Sequence, residues 1–376
     1  MKQSAHDEGV IAAVLATKPQ LTCRKFSQLL ATAKPSDIAQ SLDNVRPTAD
    51  ECERMAKRLE LTCMSVTYVG AHDYPQTLVQ DPTRSPVLFY RGKLAALNQR
   101  RVGIVGTRSA TAAGRYLASH ISFDLAERGI STVSGLARGI DAWAHKGVSV
   151  AYGRNADHSH LGIPIGVVAS GLDVVYPKEN VELWNFVSEH GLLLSESPPG
   201  ISPEPYRFPL RNRILAALSE VLVVVESRAT GGSMITVEEA HKRDITVMAV
   251  PGSPRNSSST GTNLLLQQGC APVVSVDDVL VALGLDTRES HPPVFDVRDA
   301  LSPQDEALLK SMAGDALTLD QLVLRTRRDV VDIAYSLGRM ETRGWVINNG
   351  GWWEVLGMQT PAGYGGFHGG GNKLGN

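Results

Sequence analysis

Cysteine is scarce in this chain. There are four in 376 residues (Cys23, Cys52, Cys63 and Cys270), and no two form a C-x-x-C pair. That spacing argues against a zinc site and a disulfide scaffold, and four reduced, buried thiols in a cytoplasmic protein are expected. An excess of one charge is also missing, with 37 Lys and Arg against 39 Asp and Glu. The chain is no bulk polycation, so any nucleic-acid binding must come from a local basic cluster. No apolar run approaches the ~18 residues of a membrane span. Met1-Lys2-Gln3-Ser4 leads into no signal-peptide core. G-x-G-x-x-G and G-x-x-x-x-G-K-[ST] are both absent, which removes the usual dinucleotide and Walker loops. No cofactor and no metal are expected.

What is present is ordinary for a large soluble core, at 43% apolar and 20% charged residues. At one domain per ~150 residues, the length suggests two or three domains. Residues 1–64 read as helical, with Thr48-Ala49-Asp50-Glu51 fitting a capping box ahead of Cys52, Met55, Ala56 and Leu59 on one face. The Pro-broken stretch 74–92 reads as an extended connector. From 102 onward, short apolar runs alternate with helical stretches. Strands are predicted over 102–105, 131–133, 165–169, 192–194, 221–225, 246–250 and 272–274. Strands apolar on both faces imply an α/β fold with a mainly parallel, helix-covered sheet. A polar loop is expected over 152–164.

Residues 286–300, with Pro292-Pro293, read as a linker. Helices over 303–312, 319–324 and 329–342, then a hairpin around Asn348-Asn349-Gly350-Gly351, describe a winged-helix-like domain over 301–357. The Gly-rich tail 358–376 is expected to be disordered.

In an open parallel sheet, ligands bind beyond the carboxyl ends of the strands. Four such ends carry Gly-rich turns: Gly106-Thr107-Arg108-Ser109, Ser134-Gly135-Leu136-Ala137-Arg138, Gly171-Leu172-Asp173 leading to Lys178, and Gly231-Gly232-Ser233 with Thr236. Glycine lets backbone approach a ligand, helix N-termini offer free N–H groups, and arginine adds a fork of donors. One turn would mean little, but four share a demand for a ligand with several anionic oxygens. Phe208-Pro209-Leu210-Arg211-Asn212-Arg213 adds a second basic cluster. With Arg108 and Lys178 it describes a phosphate-tracking groove.

These motifs resemble the DNA-processing protein A (DprA/Smf) family. The resemblance runs from Val102-Gly103-Ile104-Val105-Gly106-Thr107-Arg108, through Ser134 to Asp141 with Ala144-His145, to Tyr176-Pro177-Lys178-Glu179-Asn180. It continues through Leu194-Ser195-Glu196, Phe208-Pro209, Arg211-Asn212-Arg213, Gly232-Ser233-Met234-Ile235-Thr236, Val250-Pro251-Gly252 and Gly261-Thr262-Asn263. It implies a Rossmann-like core over 65–285, a helical SAM-like N-terminal domain and a winged C-terminal region. It further implies a single-stranded DNA-binding, non-enzymatic homodimer that protects incoming DNA and helps load RecA recombinase in natural transformation. By the same resemblance, Arg108 and Lys178 contact DNA. Arg138, Arg211 and Arg213 contact phosphate or brace the pocket. The 152–164 segment departs from the family pattern, with an expected effect on access to the groove or the dimer surface.

His145 and Asp141 share a helix face without an evident nucleophile, so a buried or capping hydrogen bond is expected for the histidine. Asp141 is alternatively a partner for Arg138. Glu226 is expected to pair with an arginine, because unpaired buried charge is costly. A nucleotide-processing phosphoribohydrolase is the alternative, since 230–239 echoes P-G-G-x-G-T-x-x-E incompletely. The balanced charge of 320–343 favours a protein-contact role over duplex recognition, and Trp345, Trp352 and Trp353 are expected to pack the wing.

Overall fold

The computed structural model describes residues 7–285, 300–312 and 315–356. The expected tail, and the expected linker apart from Ala300, lie outside the described residues. Those described fall into two compact units, 7–285 and 300–356.

The first unit opens with α1 (Glu8–Leu15), α2 (Cys23–Leu30), α3 (Pro35–Ser41) and α4 (Ala49–Leu61). Asp7, Thr22 and Thr48 cap three of them through side-chain oxygens. At α4 the capping box is reciprocal: Glu51 N–H donates to Thr48 Oγ1 at 3.2 Å, and Thr48 N–H donates to Glu51 Oε2 at 2.9 Å. Cys52, Ala56 and Leu59 are buried below it. Next come β1 (Ser65–Tyr68), α5 (Gln76–Val79) and β2 (Val87–Gly92). The segment expected to be a connector therefore contributes a helix and a sheet strand. Its prolines (Pro75, Pro82, Pro86) all lie outside β2, so the run Val87-Leu88-Phe89 keeps its ladder donors and is buried.

The remaining strands of the sheet are β3 (Arg101–Val105), β4 (Ser131–Ser134), β5 (Pro164–Val167), β6 (Leu192–Ser195), β7 (Val221–Val224), β8 (Thr246–Ala249) and β9 (Ala271–Pro272). The helices among and after them are α6 (Ala112–Glu127), α7 (Ile140–Arg154), α8 (Val181–His190), α9 (Arg207–Leu218), α10 (Gly232–His241), α11 (Thr260–Gln267) and α12 (Val276–Ala282). The nine strands lie in the order β1-β2-β6-β5-β4-β3-β7-β8-β9. All from β6 to β9 are parallel, while β2 runs antiparallel to both β1 and β6. This is a Rossmann-like α/β sheet. Strand order reverses at β3, whose neighbours are β4 on one side and β7 on the other.

Burial on both faces follows from the alternation of side chains along each strand. Val221, Val223 and Val225 join a cluster with Ile121 and Leu125 of α6 and Val279 of α12. Leu222 and Val224 join another with Ile214 and Leu218 of α9 and Val237 of α10. Each such Val or Leu contributes about 1.5–3 kcal/mol on full burial. Helices thus cover both faces, and only the strand ends are left for chemistry.

The expected loop over 152–164 is shorter. α7 continues to Arg154 because Tyr152 is buried, its ring 5.4 Å from that of Phe186. The loop, now 155–163, joins the end of α7 to the amino end of β5. That is the opposite edge of the sheet from the carboxyl ends, so it does not border the expected groove.

The second unit comprises α13 (Pro303–Ser311), β10 (Leu317–Thr318), α14 (Leu319–Thr326), α15 (Val330–Thr342), β11 (Val346–Asn349) and β12 (Trp352–Val355). Its strands lie in the order β10-β12-β11 over a core that includes Leu309, Leu322, Ile333, Leu337 and Met340. Trp345 and Trp353 pack on that core, whereas Trp352 is 42% exposed. The Arg339 guanidinium reaches the fully buried Asp305 at 2.6 Å. No helix among the described residues is long and apolar enough to cross a membrane.

Because each unit has its own core, a chain ending at residue 300 is expected to unfold cooperatively with the first unit's midpoint unchanged. Calorimetry of that truncation beside the full chain checks this, and a lost or broadened transition would refute it.

Candidate nucleic-acid interface

A cleft of about 570 Å³ opens beyond the carboxyl ends of β3 and β7. The place follows from topology, since loops leaving these two strands diverge in opposite directions. Of the residues expected from sequence, Gly106, Thr107, Arg108, Arg211, Asn212, Gly232, Ser233 and Thr236 line it.

The loop after β3 is held by Glu226, just beyond β7. Thr107 N–H donates to the Glu226 backbone carbonyl at 2.7 Å. Thr111 N–H and Oγ1–H donate to the two carboxylate oxygens at 2.9 and 2.5 Å. Glu226 was expected to meet an arginine; it instead binds the start of α6, where N–H groups lack partners and the helix dipole favours an anion. Burial holds its carboxyl above the usual range, and the Thr111 hydrogen bonds oppose that. The N-terminus of α6 is therefore occupied from within and is not open to a ligand.

The N-terminus of α10 differs. Gly231, its N-cap, offers no side-chain bond, and Gly231, Gly232 and Ser233 all face the cleft. Arg108 is exposed and lies 4.6 Å above the Phe208 ring, and Arg228 is an exposed cation on the cleft wall. Neither makes an ion pair among the described residues, although the Arg108 charge attracts Asp141. Arg228 was missed from sequence. It lies two residues past Glu226 at the end of the strand next to β3, and inspecting both strands at the order reversal would have found it.

The cleft floor carries buried charge. Arg211 is 5% exposed and donates through Nη1 to the Val167 carbonyl. Asp141, 7% exposed, faces it across Gly135. A Cβ at Gly135 would lie 1.9 Å from Arg211 Nη1 and 2.5 Å from Asp141 Oδ2, so any side chain here would have to displace these two groups. Burial raises the Asp141 carboxyl, against the attraction of Arg211 and amide donors from Ala137 and Gly135. Asp141 thus faces Arg211 and not Arg138.

The other expected residues lie elsewhere. Ser134 is buried and donates to the Ile104 carbonyl at 2.7 Å. Gly171 is packed against Pro198 and Asp173. Arg138 forms a two-bond ion pair with Glu179 at 2.5 and 2.7 Å. Arg213 binds Glu196 and, at 2.6 Å, the Thr83 carbonyl, away from the cleft. Lys178 is exposed, with no ion pair among the described residues, on a short turn two residues beyond Tyr176, which does line the cleft.

His145 is fully buried, with the Ser134 backbone beside its ring. Burial lowers its pKa from 6.5 to about 4, and the adjoining Ser134 backbone opposes this. No group of three or more possible metal ligands occurs among the described residues.

Residues 65–284 match the family model described as DNA recombination-mediator protein A. The chain is 38% identical over 218 residues to the DNA processing protein DprA of Bacillus subtilis, covering 57% of this chain and 70% of that protein. It is 31% identical over 314 residues to Protein Smf of a Synechocystis species, covering 74% and 77%. DNA processing protein A from Streptococcus pneumoniae superposes with a TM-score of 0.58 at 29% identity, over 75% of this chain and 98% of that one. The Helicobacter pylori protein, solved to describe its single-stranded DNA binding mode, gives 0.50 at 26% identity, over 58% and 95%.

The depressed pKa of His145 makes a pH prediction. The unfolded chain takes up this proton near pH 6.5 and the folded chain only near 4, so stability is complete above 6.5 and is lost as pH falls through that window. At about 1.36 kcal/mol per pH unit, the loss is about 3 kcal/mol. His145→Leu is expected to remove this acid loss, as read by denaturant unfolding at pH 7 and 4.5. Parallel pH curves for the two proteins would refute it.

Proposed function

The chain belongs to the DNA recombination-mediator protein A family, and we propose that it binds single-stranded DNA without catalysis. In this reading it protects incoming strands and helps load RecA recombinase in natural transformation. The observation that carries the reading is the cleft at β3 and β7, where exposed Arg108 and Arg228 flank the N-terminus of α10, which has no side-chain cap. Backbone amides and guanidinium forks suit phosphate and carry no base sequence, so binding is sequence-tolerant. Lys178, exposed beyond Tyr176, extends the cationic track along the strand. The acidic groups nearby serve the protein itself: Glu226, which does not line the cleft, holds α6, and Asp141, which does, balances Arg211. That supports binding over hydrolysis.

The second unit, three helices with a three-stranded sheet, is read as a winged-helix-like auxiliary module. A homodimer through the Rossmann-like core is proposed from the family resemblance. Two clefts on one particle multiply weak contacts along a flexible strand through effective concentration. With a formal net charge of −2, the protein has little other long-range attraction for DNA, which makes such coupling useful.

Gel shifts with matched single- and double-stranded DNA across a salt series test the reading. Single strands are expected to bind more tightly, with affinity falling as salt rises through counterion release. Arg108→Ala, Lys178→Ala and Arg228→Ala should each weaken binding several-fold without changing thermal stability, because each removes an exposed charge and little packing. Equal binding to duplex, a flat salt response or three unaffected variants would refute the assignment. Free base released from nucleoside monophosphates would favour the phosphoribohydrolase instead. Light scattering is expected to report a dimer, and a monomer that binds tightly would remove the avidity argument.

A further inference from the structure

We infer that the hydrogen-bonded clasp between Thr111 and Glu226 is a positioning element for DNA binding, one that orders the Arg108 loop before any strand arrives and acts only through Arg108. The inference rests on the single-strand reading above and adds a source of affinity that touches no DNA. Neither Thr111 nor Glu226 lines the cleft.

The loop is a short span between two anchors. At one end the Thr107 peptide is bracketed: its N–H donates to the Glu226 carbonyl at 2.7 Å, and its carbonyl accepts from the Ile140 N–H at 3.2 Å. At the other end Thr111 donates its N–H and its hydroxyl to the Glu226 carboxylate at 2.9 and 2.5 Å. Between the anchors stand Arg108, Ser109 and Ala110, the first two exposed. Within the span, Ser109 N–H reaches Thr107 Oγ1 at 3.2 Å, and the Ala110 carbonyl accepts from Arg115 Nε of α6 at 3.0 Å. Neither bond ties Arg108 to the sheet, and Ala110 adds one buried methyl.

The fold itself asks little of this carboxylate. Thr111 already caps α6, its hydroxyl oxygen accepting the Gly114 N–H at 3.1 Å. Seating a charge behind that cap costs desolvation, since Glu226 is 5% exposed. It also requires Gly114, where a Cβ would lie 2.3 Å from the carboxylate, and glycine weakens a helix. The order gained lies in the Arg108 loop. A loop anchored at one end has to be ordered when the strand binds, and each backbone residue fixed at that moment subtracts from affinity. The chain also continues from Glu226 through Ser227 to Arg228, so one residue sets the spacing of the two exposed cations.

The test measures affinity for a fluorescent single strand by anisotropy across a salt series. It compares the wild type with Thr111→Val, Gly114→Ala and Arg108→Ala, and with each of the first two combined with Arg108→Ala. Thr111→Val removes the hydroxyl donor, and Gly114→Ala displaces the carboxylate. Each is expected to weaken binding about tenfold, the cost of ordering roughly one residue. The salt slope should stay unchanged, because Arg108 still meets its phosphate once the strand is bound. Arg108→Ala should weaken binding and lower the slope. Adding either clasp variant to Arg108→Ala should cost nothing further. Thr111→Ser, which keeps the hydroxyl, should bind as the wild type does. Clasp losses that persist in full beside Arg108→Ala, or a folded clasp variant with wild-type affinity, overturn the inference and leave the single-strand reading standing. A wild type that binds no single strand removes that reading and the inference with it. Where one clasp variant fails to fold, the other decides, because it alters a different residue.

Discussion

Much of this site depends on one buried carboxylate. Glu226 accepts two hydrogen bonds from Thr111 while its backbone carbonyl accepts one from Thr107. The loop carrying Arg108 is thereby pinned at both ends to the adjacent strand. Gly114, one turn into α6, lies so close that a Cβ would fall 2.3 Å from the carboxylate. Desolvating the charge is costly, and the free N–H groups of the helix end offset that cost. Filling one helix end from within leaves α10 as the end directed at a ligand. The same residue thus sets where a cation stands and which helix terminus is open.

The division between free and committed arginines follows a similar logic. Near neutrality, a protein cannot attract DNA by bulk charge, so it must keep particular cations unpaired where they count. Arg138 and Arg213 each meet a carboxylate, and Arg211 is sunk beneath Gly135 with its charge facing Asp141. Arg108, whose charge also attracts Asp141, and Arg228 form no ion pair among the described residues, and both border the cleft. Removing a carboxylate elsewhere would therefore change the local field less than moving either of these two.

Beyond the cleft, ion pairs join distant parts of the first unit. Arg58 of α4 meets Asp173, which also accepts the Gly200 amide, tying the helical segment to the turn after β5. Arg243 bonds Asp81 and Thr83 while Arg213 bonds the Thr83 carbonyl, joining the segment ahead of β2 to α9 and α10. These contacts are what turn an apparent connector into part of the sheet's frame.

Local pattern determined a great deal. Runs such as Val221-Leu222-Val223-Val224 marked the parallel strands, because strands covered on both faces need apolar residues at every position. The Thr48/Glu51 box marked α4, and the Gly-rich turns with Arg108 marked the strand ends that bear the cleft. Each signal acts over a few residues and is readable there. Only the tertiary structure decided which charges serve the cleft. Arg211 and Arg213 stand in one motif, yet two residues of helix turn a side chain through about 200°. One points to the cleft floor and the other to Glu196. The partner of Arg138 is 41 residues away, and that of Glu226 is 115. Pairing at such separations depends on strand order and helix placement, which no local period encodes.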